Sequence, residues 1–592
     1  MYNLARYKIF LRLAPSWLLK KLSNRQFLMV GAIAVGIWAG LTAVVLKISV
    51  HYLQDVLVTL SQRFNWLYLV SPAVGIALTF LFIRFFLRGE FVRGTHHVLL
   101  AIAKKSSLLP KQETYSHAAT SALTVGLGGS AGLESPIVQT GSAIGSVFAS
   151  FFPVGYRDRT LLLACGAASG IAAAFNAPIA GVLFALEVLL VDVSISAFIP
   201  LLIAGACGAL CSKIILADDI LLSFKNVSAF NFHNVPYYVV LGACCGLISV
   251  FYMKAFRKTE YLLTSSIKSP VSRLVAGSLV LGILIFLFPA LFGEGYSSIK
   301  SLALSRPLEL FNGSPLKQII VAAPWLLGLA VLVVALIKAL AVSLTLSAGG
   351  NGGNFAPALL VGACLGFAFS YLADTALGMN LPVANFCLVA MAGVLTGIFH
   401  APLTGIFLIA EITGGYELMI PLMIVSAFST AVSRYLHPES LDQAKLKAGE
   451  QRVTFTKETY ILSDLVVPDI VEKDFVPVKA DATMRNLIDV IAQSRRNIFP
   501  VLDGDQRLVG IILLDDIREI MFDTALYDTL RIEQLMQKPV VVTELNENMS
   551  EVMEKFDKYG LWNIPVVNGG KYVGFISKSQ IFSNYRDKLK TD

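Results

Sequence analysis

Charge is what this chain has least of along most of its length. Its 592 residues carry 48 basic and 40 acidic side chains, 15% of the total, against 55% hydrophobic residues. Only 44 of these charges fall in residues 1–440, a density of 10%, while the other 44 crowd into residues 441–592 at about 29%. With a mean hydropathy of +0.68, this excludes a soluble enzyme and a disordered scaffold. Two solvents are implied, lipid for the first part and water for the last. Cysteine is also scarce: Cys165, Cys207, Cys211, Cys244, Cys245, Cys364 and Cys387 all sit in apolar stretches and none forms a CxxC pair. That excludes a secreted disulfide framework and leaves helix packing as their expected role. There is no HExxH motif, the adjacent His96 and His97 fall on different helix faces, and His400 only precedes an Ala-Pro step. No metal site and no catalytic constellation are expected, so the chain is not read as an enzyme.

What is present begins with Arg6, Lys8, Arg12, Lys20, Lys21 and Arg25, ahead of the first apolar run. Positive charge there marks the cytoplasmic side. The net charge of +8 is therefore read as a topology signal and not as a nucleic-acid footprint, with both termini cytoplasmic and the chain in the cell membrane. The run from Phe27 to Val45 lacks a small-residue cleavage site and reads as a retained span. Apolar runs long enough to cross a bilayer lie near residues 27–50, 66–88, 197–216, 236–256, 273–293, 319–346 and 418–436. Shorter glycine-broken segments at 117–152, 160–191, 354–376 and 384–412 separate them, and broken helices in a membrane usually line a pathway.

A shift of 221 residues superposes LTVGLGGSAGLESPIVQTGSAIG (Leu123 to Gly145) on LTLSAGGNGGNFAPALLVGACLG (Leu344 to Gly366) without a gap. Gly128, Gly129, Gly132, Pro136, Gly141 and Gly145 meet Gly349, Gly350, Gly353, Pro357, Gly362 and Gly366. FNAPIAGVLFALE (Phe175 to Glu187) then matches FHAPLTGIFLIAE (Phe399 to Glu411). The membrane part is a duplicated unit, and such proteins place a substrate site where the halves meet. After Pro438 short β-like runs alternate with amphipathic helices, and NIFPVLDGDQRLVGIILLDDI (Asn497 to Ile517) echoes NIPVVNGGKYVGFISKSQI (Asn563 to Ile581). This predicts a soluble α/β module in tandem.

Glu134 is the sharpest single feature. It is the one Asp, Glu, Lys or Arg between Glu113 and Arg157, and a carboxylate at membrane depth is a functional candidate by default. The glycines before it let backbone N–H groups approach a ligand, and Pro136 can begin a helix whose N-terminus favours an anion. Glu134 would compete with that anion as a tethered one. Asn354 and Phe355 stand in the matching loop, where a second helix start could converge on the same ion.

The duplicated loops, the FNAP and FHAP helices and the tandem tail resemble the CLC family of chloride channels and proton-coupled chloride exchangers with a C-terminal pair of CBS domains. The resemblance implies that Glu134 is the gating glutamate and that Gly132, Leu133, Ser135, Asn354 and Phe355 surround the anion. It also implies four departures. Arg93 or Thr95 replaces the usual central serine, Asp442 replaces the pore tyrosine, and Ser135 replaces the second glycine of the gate loop. Val188 replaces the internal proton-passing glutamate that exchangers carry after Glu187. Val188 cannot titrate, which favours passive conduction, while the shared placement of Glu187 and Glu411 points to a structural role. In the CBS pair, Asp516 and the Ser577/Gln580 pair keep half of an adenine-nucleotide pattern each.

The expected architecture is an all-α multi-pass membrane protein with an internal inverted repeat and a cytosolic α/β tandem CBS domain. The expected boundaries are a cytosolic segment 1–26, a membrane domain 27–436 with repeats about 30–216 and 236–436, a linker 437–460, and a CBS pair 461–592 divided at about 461–522 and 534–590. The expected function is chloride conduction through a glutamate-gated, voltage-gated pathway. The alternative is chloride/proton antiport, and a CBS-regulated divalent-cation transporter ranks below both. Expected partners are chloride, membrane lipid and a second copy of the chain. No cofactor is expected beyond an adenine nucleotide at the CBS pair.

Overall fold

The computed structural model describes residues 23–448 and 465–591, apart from 65, 90, 105, 191–194 and 217–227. Arg6, Lys8, Arg12, Lys20 and Lys21 lie outside the described residues, as does the 449–460 part of the expected linker. The chain divides into two compact units, Met1–Ile102 with Ser107–Val453, and Ala103–Ser106 with Thr454–Asp592.

The first unit is helical. Its first half contains α1 (Asn24–Arg63), α2 (Leu67–Phe86), α3 (Glu113–Gly126), α4 (Glu134–Ser150), α5 (Tyr156–Phe175), α6 (Pro178–Phe184, prolonged by one π turn at Ala185–Leu189) and α7 (Ile195–Leu216). The second half contains α8 (Val235–Ser266), α9 (Pro270–Leu287), α10 (Tyr296–Ala303), α11 (Pro324–Ser347), α12 (Phe355–Leu377), α13 (Val383–Phe399), α14 (Pro402–Thr413), α15 (Met419–Leu436) and α16 (Leu441–Ala448). Among the described residues, nine helices are long and apolar enough to cross a membrane. Seven begin in or near the apolar runs read from the sequence. The other two are α5 and α12, and the segment expected to be broken at 354–376 is a continuous helix.

Packing explains why glycine does not break α12. A Cβ on Gly141 would sit 2.3 Å from the Gly166 carbonyl oxygen, and one on Gly145 would sit 2.1 Å from that of Leu162. In the second half, Gly362 and Gly366 stand in the same relation to Ala390 and Phe386, at 2.5 and 2.2 Å. These repeated glycines are the surfaces on which α4 lies against α5 and α12 against α13, the small-residue packing that lets membrane helices approach closely.

The real breaks fall at the FxAP steps. Asn176 and His400 end α5 and α13 in left-handed conformation, with φ of 53° and 57°. Pro178 and Pro402 then open α6 and α14. A left-handed residue ends a helix by turning its N–H back onto the last turn, and proline at the first helical position loses only a donor that had no partner. One short motif therefore stops one helix and starts the next, twice.

The second unit holds two copies of one α/β pattern. β1 (Val478–Lys479) pairs parallel with β2 (Ile498–Leu502), and β2 pairs antiparallel with β3 (Leu508–Leu513). β4 (Thr543–Glu544), β5 (Asn563–Asn568) and β6 (Lys571–Ser577) repeat that order. Helices α17 (Met484–Gln493) and α18 (Met549–Tyr559) cross over between the parallel strands, and α19 (Lys578–Thr591) ends the unit. Phe499, Val501 and Ile512 fill one core, and Phe556, Ile564, Val566 and Ile576 the other.

Candidate functional site

The two glycine-rich loops of the repeat meet. Gly132 and Gly353 exchange backbone hydrogen bonds of 2.8 Å in each direction. Around them, Ser130 N–H donates to Thr345 Oγ1 at 3.1 Å, and Asn351 N–H to Thr124 Oγ1 at 3.0 Å. Each contact maps onto its mate at the same 221-residue shift, so the loops face each other across a local two-fold axis. Gly128 and Gly349 take positive φ, 96° and 117°, and a Cβ on Gly128 would lie 2.1 Å from the Phe292 ring.

That geometry brings the starts of α4 and α12 together. Glu134, 1% exposed, opens α4, two residues ahead of the expected Pro136. Its Oε2 accepts from Ala356 N–H in the first turn of α12 at 3.3 Å, and its Oε1 accepts from the Tyr296 hydroxyl. The side chain thus bridges the two repeats. The backbone N–H groups of Asn354 and Phe355 find no acceptor among the described residues. They belong to the helix start, where the first N–H groups have no intrahelical partner and the dipole favours negative charge.

Two of the expected anion donors are differently engaged. Gly132 N–H is committed to the Gly353 carbonyl, and Leu133 N–H to Glu294 Oε1 at 3.2 Å. Ser135 Oγ shares a hydrogen bond with Thr95 Oγ1 at 3.0 Å and accepts from Gln139 Nε2 at 3.1 Å. Thr95, and not Arg93, therefore sits against the loop that carries Glu134. Arg93 Nη2 donates to the Gly349 carbonyl at 3.0 Å.

Glu134, Ser135, Asn354, Phe355, Arg93, Thr95 and Asp442 nevertheless line one cavity of about 640 Å³. Arg273 of α9 lines it as well, within the field of Arg93. Among the described residues, the buried Nε atoms of both arginines have no hydrogen-bond partner. Lys445 is paired with Glu260 at 3.1 Å. A cavity with unsatisfied guanidinium donors at its wall and open amides at its end suits an anion.

Glu187 and Glu411 are held by helix ends. Glu187 accepts from Leu403 N–H at 2.9 Å, and from Thr404 N–H and Thr404 Oγ1 at 2.7 Å each. Glu411 accepts from Ile179 and Ala180 N–H at 3.0 and 2.8 Å. Val188 lies beside Glu187 in the π turn, half-buried.

Sequence reading missed Arg273 in the cavity wall. Around Glu134 it also missed four residues, Lys47, Glu294, Tyr296 and Lys338. All are nearly fully buried. Ionisable groups inside apolar runs were the available signal, and Lys47 and Lys338 both stand within expected spans. In the second unit, the Ser577 hydroxyl donates to Glu472 and accepts from Gln580 N–H at 3.1 Å as a helix cap. Asp516 accepts from Gln537 Nε2 at 3.0 Å.

A two-repeat, all-helical membrane unit carrying a tandem α/β tail defines the class. Residues 75–434 match the model of the voltage gated chloride channel family, and residues 467–523 and 532–587 each match that of the CBS domain. The chain belongs to the voltage gated chloride channel family, as the motifs of the two glycine-rich loops imply. It is 27% identical over 455 residues to chloride channel protein CLC-f of Arabidopsis thaliana, covering 68% of this chain and 56% of that protein, under two thirds of its length. It is 30% identical over 330 residues to the voltage-gated ClC-type chloride channel ClcB of Escherichia coli O81 (strain ED1a), covering 54% and 72%. Among solved structures, a slow cyanobacterial Cl−/H+ antiporter superposes with a TM-score of 0.60 at 22% identity, over 72% of this chain and 98% of that one. A eukaryotic CLC transporter superposes at 0.59 and 18%, over 93% and 97%. These two share the fold.

Proposed function

We propose that the protein conducts chloride through a pathway gated by Glu134. The observation that carries this reading is the position of the Glu134 carboxylate. It sits on the Ala356 amide, beside the open Asn354 and Phe355 N–H groups, at the end of a cavity walled by Arg93 and Arg273. A carboxylate and a halide compete for the same donors, so the site is closed while Glu134 is ionised and in place, and opens when it is protonated or displaced. The two arginines also count against a divalent cation as cargo.

Channel conduction is preferred over antiport. A proton relay to the cavity side needs a titratable group at position 188, and Val188 supplies none; the neighbouring Glu187 is engaged by three donors. The antiport reading draws on the names of the structural neighbours and on Asp442, a carboxyl that lines the cavity. The protein would act as a homodimer in the cell membrane with both termini cytoplasmic. Its CBS pair would serve dimerisation and regulation. An adenine nucleotide there would have to draw the Ser577 hydroxyl away from Glu472.

The test is chloride efflux from proteoliposomes with proton movement recorded in parallel. Chloride efflux without coupled proton uptake supports the channel. Proton uptake driven by a chloride gradient selects the antiporter, and absence of chloride flux removes both. Glu134→Ala should conduct at every pH; an unchanged pH profile would remove Glu134 as the gate.

A further inference from the structure

Of the buried side-chain atoms that find no hydrogen-bond partner among the described residues, four line the cavity at whose end Glu134 sits: Arg93 Nε, His96 Nδ1, Arg273 Nε and Ser347 Oγ. The Glu134 carboxylate draws on Ala356 N–H and the Tyr296 hydroxyl and uses none of them. The backbone places each donor. Arg93 is tied to the second glycine-rich loop through the Gly349 carbonyl at 3.0 Å. Arg273 lies in the first turn of α9, which Ser269 caps and Pro270 begins. Ser347 is the last residue of α11.

The two guanidiniums stand in one another's field, and among the described residues neither is in an ion pair with a carboxylate. Three carboxyls share the cavity wall with them. Glu134 is held at α12, Glu260 is paired with Lys445 at 3.1 Å, and Asp442 lies one turn before Lys445 and within its field. Two like charges in one buried space, each with an unfilled donor, carry a desolvation cost that a bound anion offsets. A guanidinium presents its donors as a planar fork that matches two oxygens of one anion. Two forks and a hydroxyl match a tetrahedral oxyanion with two negative charges better than they match one spherical halide.

We propose that the wall formed by Arg93, Arg273 and Ser347 binds a divalent oxyanion of the sulfate or phosphate class, which plugs the chloride pathway instead of passing through it. This rests on the reading of the cavity as a chloride path gated by Glu134. The gate is too narrow for such an ion. A halide need only replace one carboxylate between α4 and α12, whose loops are clasped by the paired 2.8 Å bonds of Gly132 and Gly353. An ion with four oxygens is larger than the planar group it would displace. It therefore stays in the cavity of about 640 Å³ and repels chloride from it.

The test is chloride efflux from proteoliposomes holding the full chain, with sulfate on both sides at matched ionic strength. Sulfate should block, and methanesulfonate, a similar tetrahedral head with one charge, should need roughly tenfold more. Coulombic attraction is proportional to the charge of the ligand, so a substitution that weakens chloride by about tenfold weakens sulfate by about a hundredfold. Arg273→Gln should show that difference when each anion is titrated calorimetrically into the purified protein. Inorganic phosphate and glycerol 3-phosphate, run beside sulfate, separate a free oxyanion from a phosphate ester as the occupant. Sulfate that neither blocks nor binds overturns the proposal. So does an equal loss of sulfate and chloride in Arg273→Gln, or sulfate efflux at the rate of chloride. If Arg273→Gln does not fold, the comparison of sulfate with methanesulfonate in the unaltered chain decides, and equal potency overturns the proposal. Failure of the pathway reading is separate: chloride efflux would then be absent, while titration still shows whether sulfate binds and whether Arg273 holds it.

Discussion

Glu187 and Glu411 cap one another's helices. The Glu187 carboxylate receives the first N–H groups of α14, the Glu411 carboxylate receives those of α6, and each glutamate stands at the far end of the helix that the other caps. A carboxylate at a helix start satisfies orphan donors and complements the dipole.

Replacing either glutamate by alanine should therefore lower stability by about 1–2 kcal/mol, with Glu187 costing more because it also accepts from the Thr404 hydroxyl. Thermal unfolding in detergent measures this. Chloride flux per folded molecule should not change. A selective loss of proton movement in Glu187→Ala would instead show that Glu187 carries protons.

Gly145→Ala and Gly366→Ala should each cost about 1–3 kcal/mol, the typical penalty for overpacking a filled interface. The new methyl would meet a backbone carbonyl at 2.1 or 2.2 Å, which no rotamer change relieves. Gly155→Ala, with nothing within 4 Å of its Cβ, is the control in the same unfolding assay.

Tyr296→Phe removes a hydroxyl that donates to Glu134 while keeping the ring beneath Lys47. A hydrogen bond to a charged group contributes roughly 1.5–3 kcal/mol, so the gate should release more readily. Chloride efflux at neutral pH should rise at least tenfold if the gate limits it. An unchanged efflux would mean that Tyr296 does not hold Glu134 in the closed state.

Arg93→Gln should weaken anion binding in the cavity by about tenfold, since the guanidinium supplies both charge and a free Nε donor. Isothermal titration of chloride into the purified protein measures it. Arg93→Lys should recover only part of the loss, because an ammonium lacks the planar fork.

The duplication was legible because its physical cause is local. Glycines at 141, 145, 362 and 366 recur where a helix must touch another helix's backbone, and FxAP recurs where one helix stops and the next starts. Glu134 was legible by its isolation in an apolar stretch. The engagement of Leu133 N–H was not, because Glu294 is far away in sequence and no spacing rule relates them. Lys47 and Lys338 carried a signal, charge within a span, but nothing in the order of residues says which backbone carbonyls hold them. The 354–376 segment was misread because glycine count alone does not distinguish a break from a contact.

The clasp between Gly132 and Gly353 bears on what can move. With two bonds of 2.8 Å and flanking threonine contacts tying the loops, α4 cannot draw back from α12 without tearing the frame of both repeats. Under the gate proposed for Glu134, opening would be one side chain turning within a fixed ring, and the donors offered to the anion would be the same before and after.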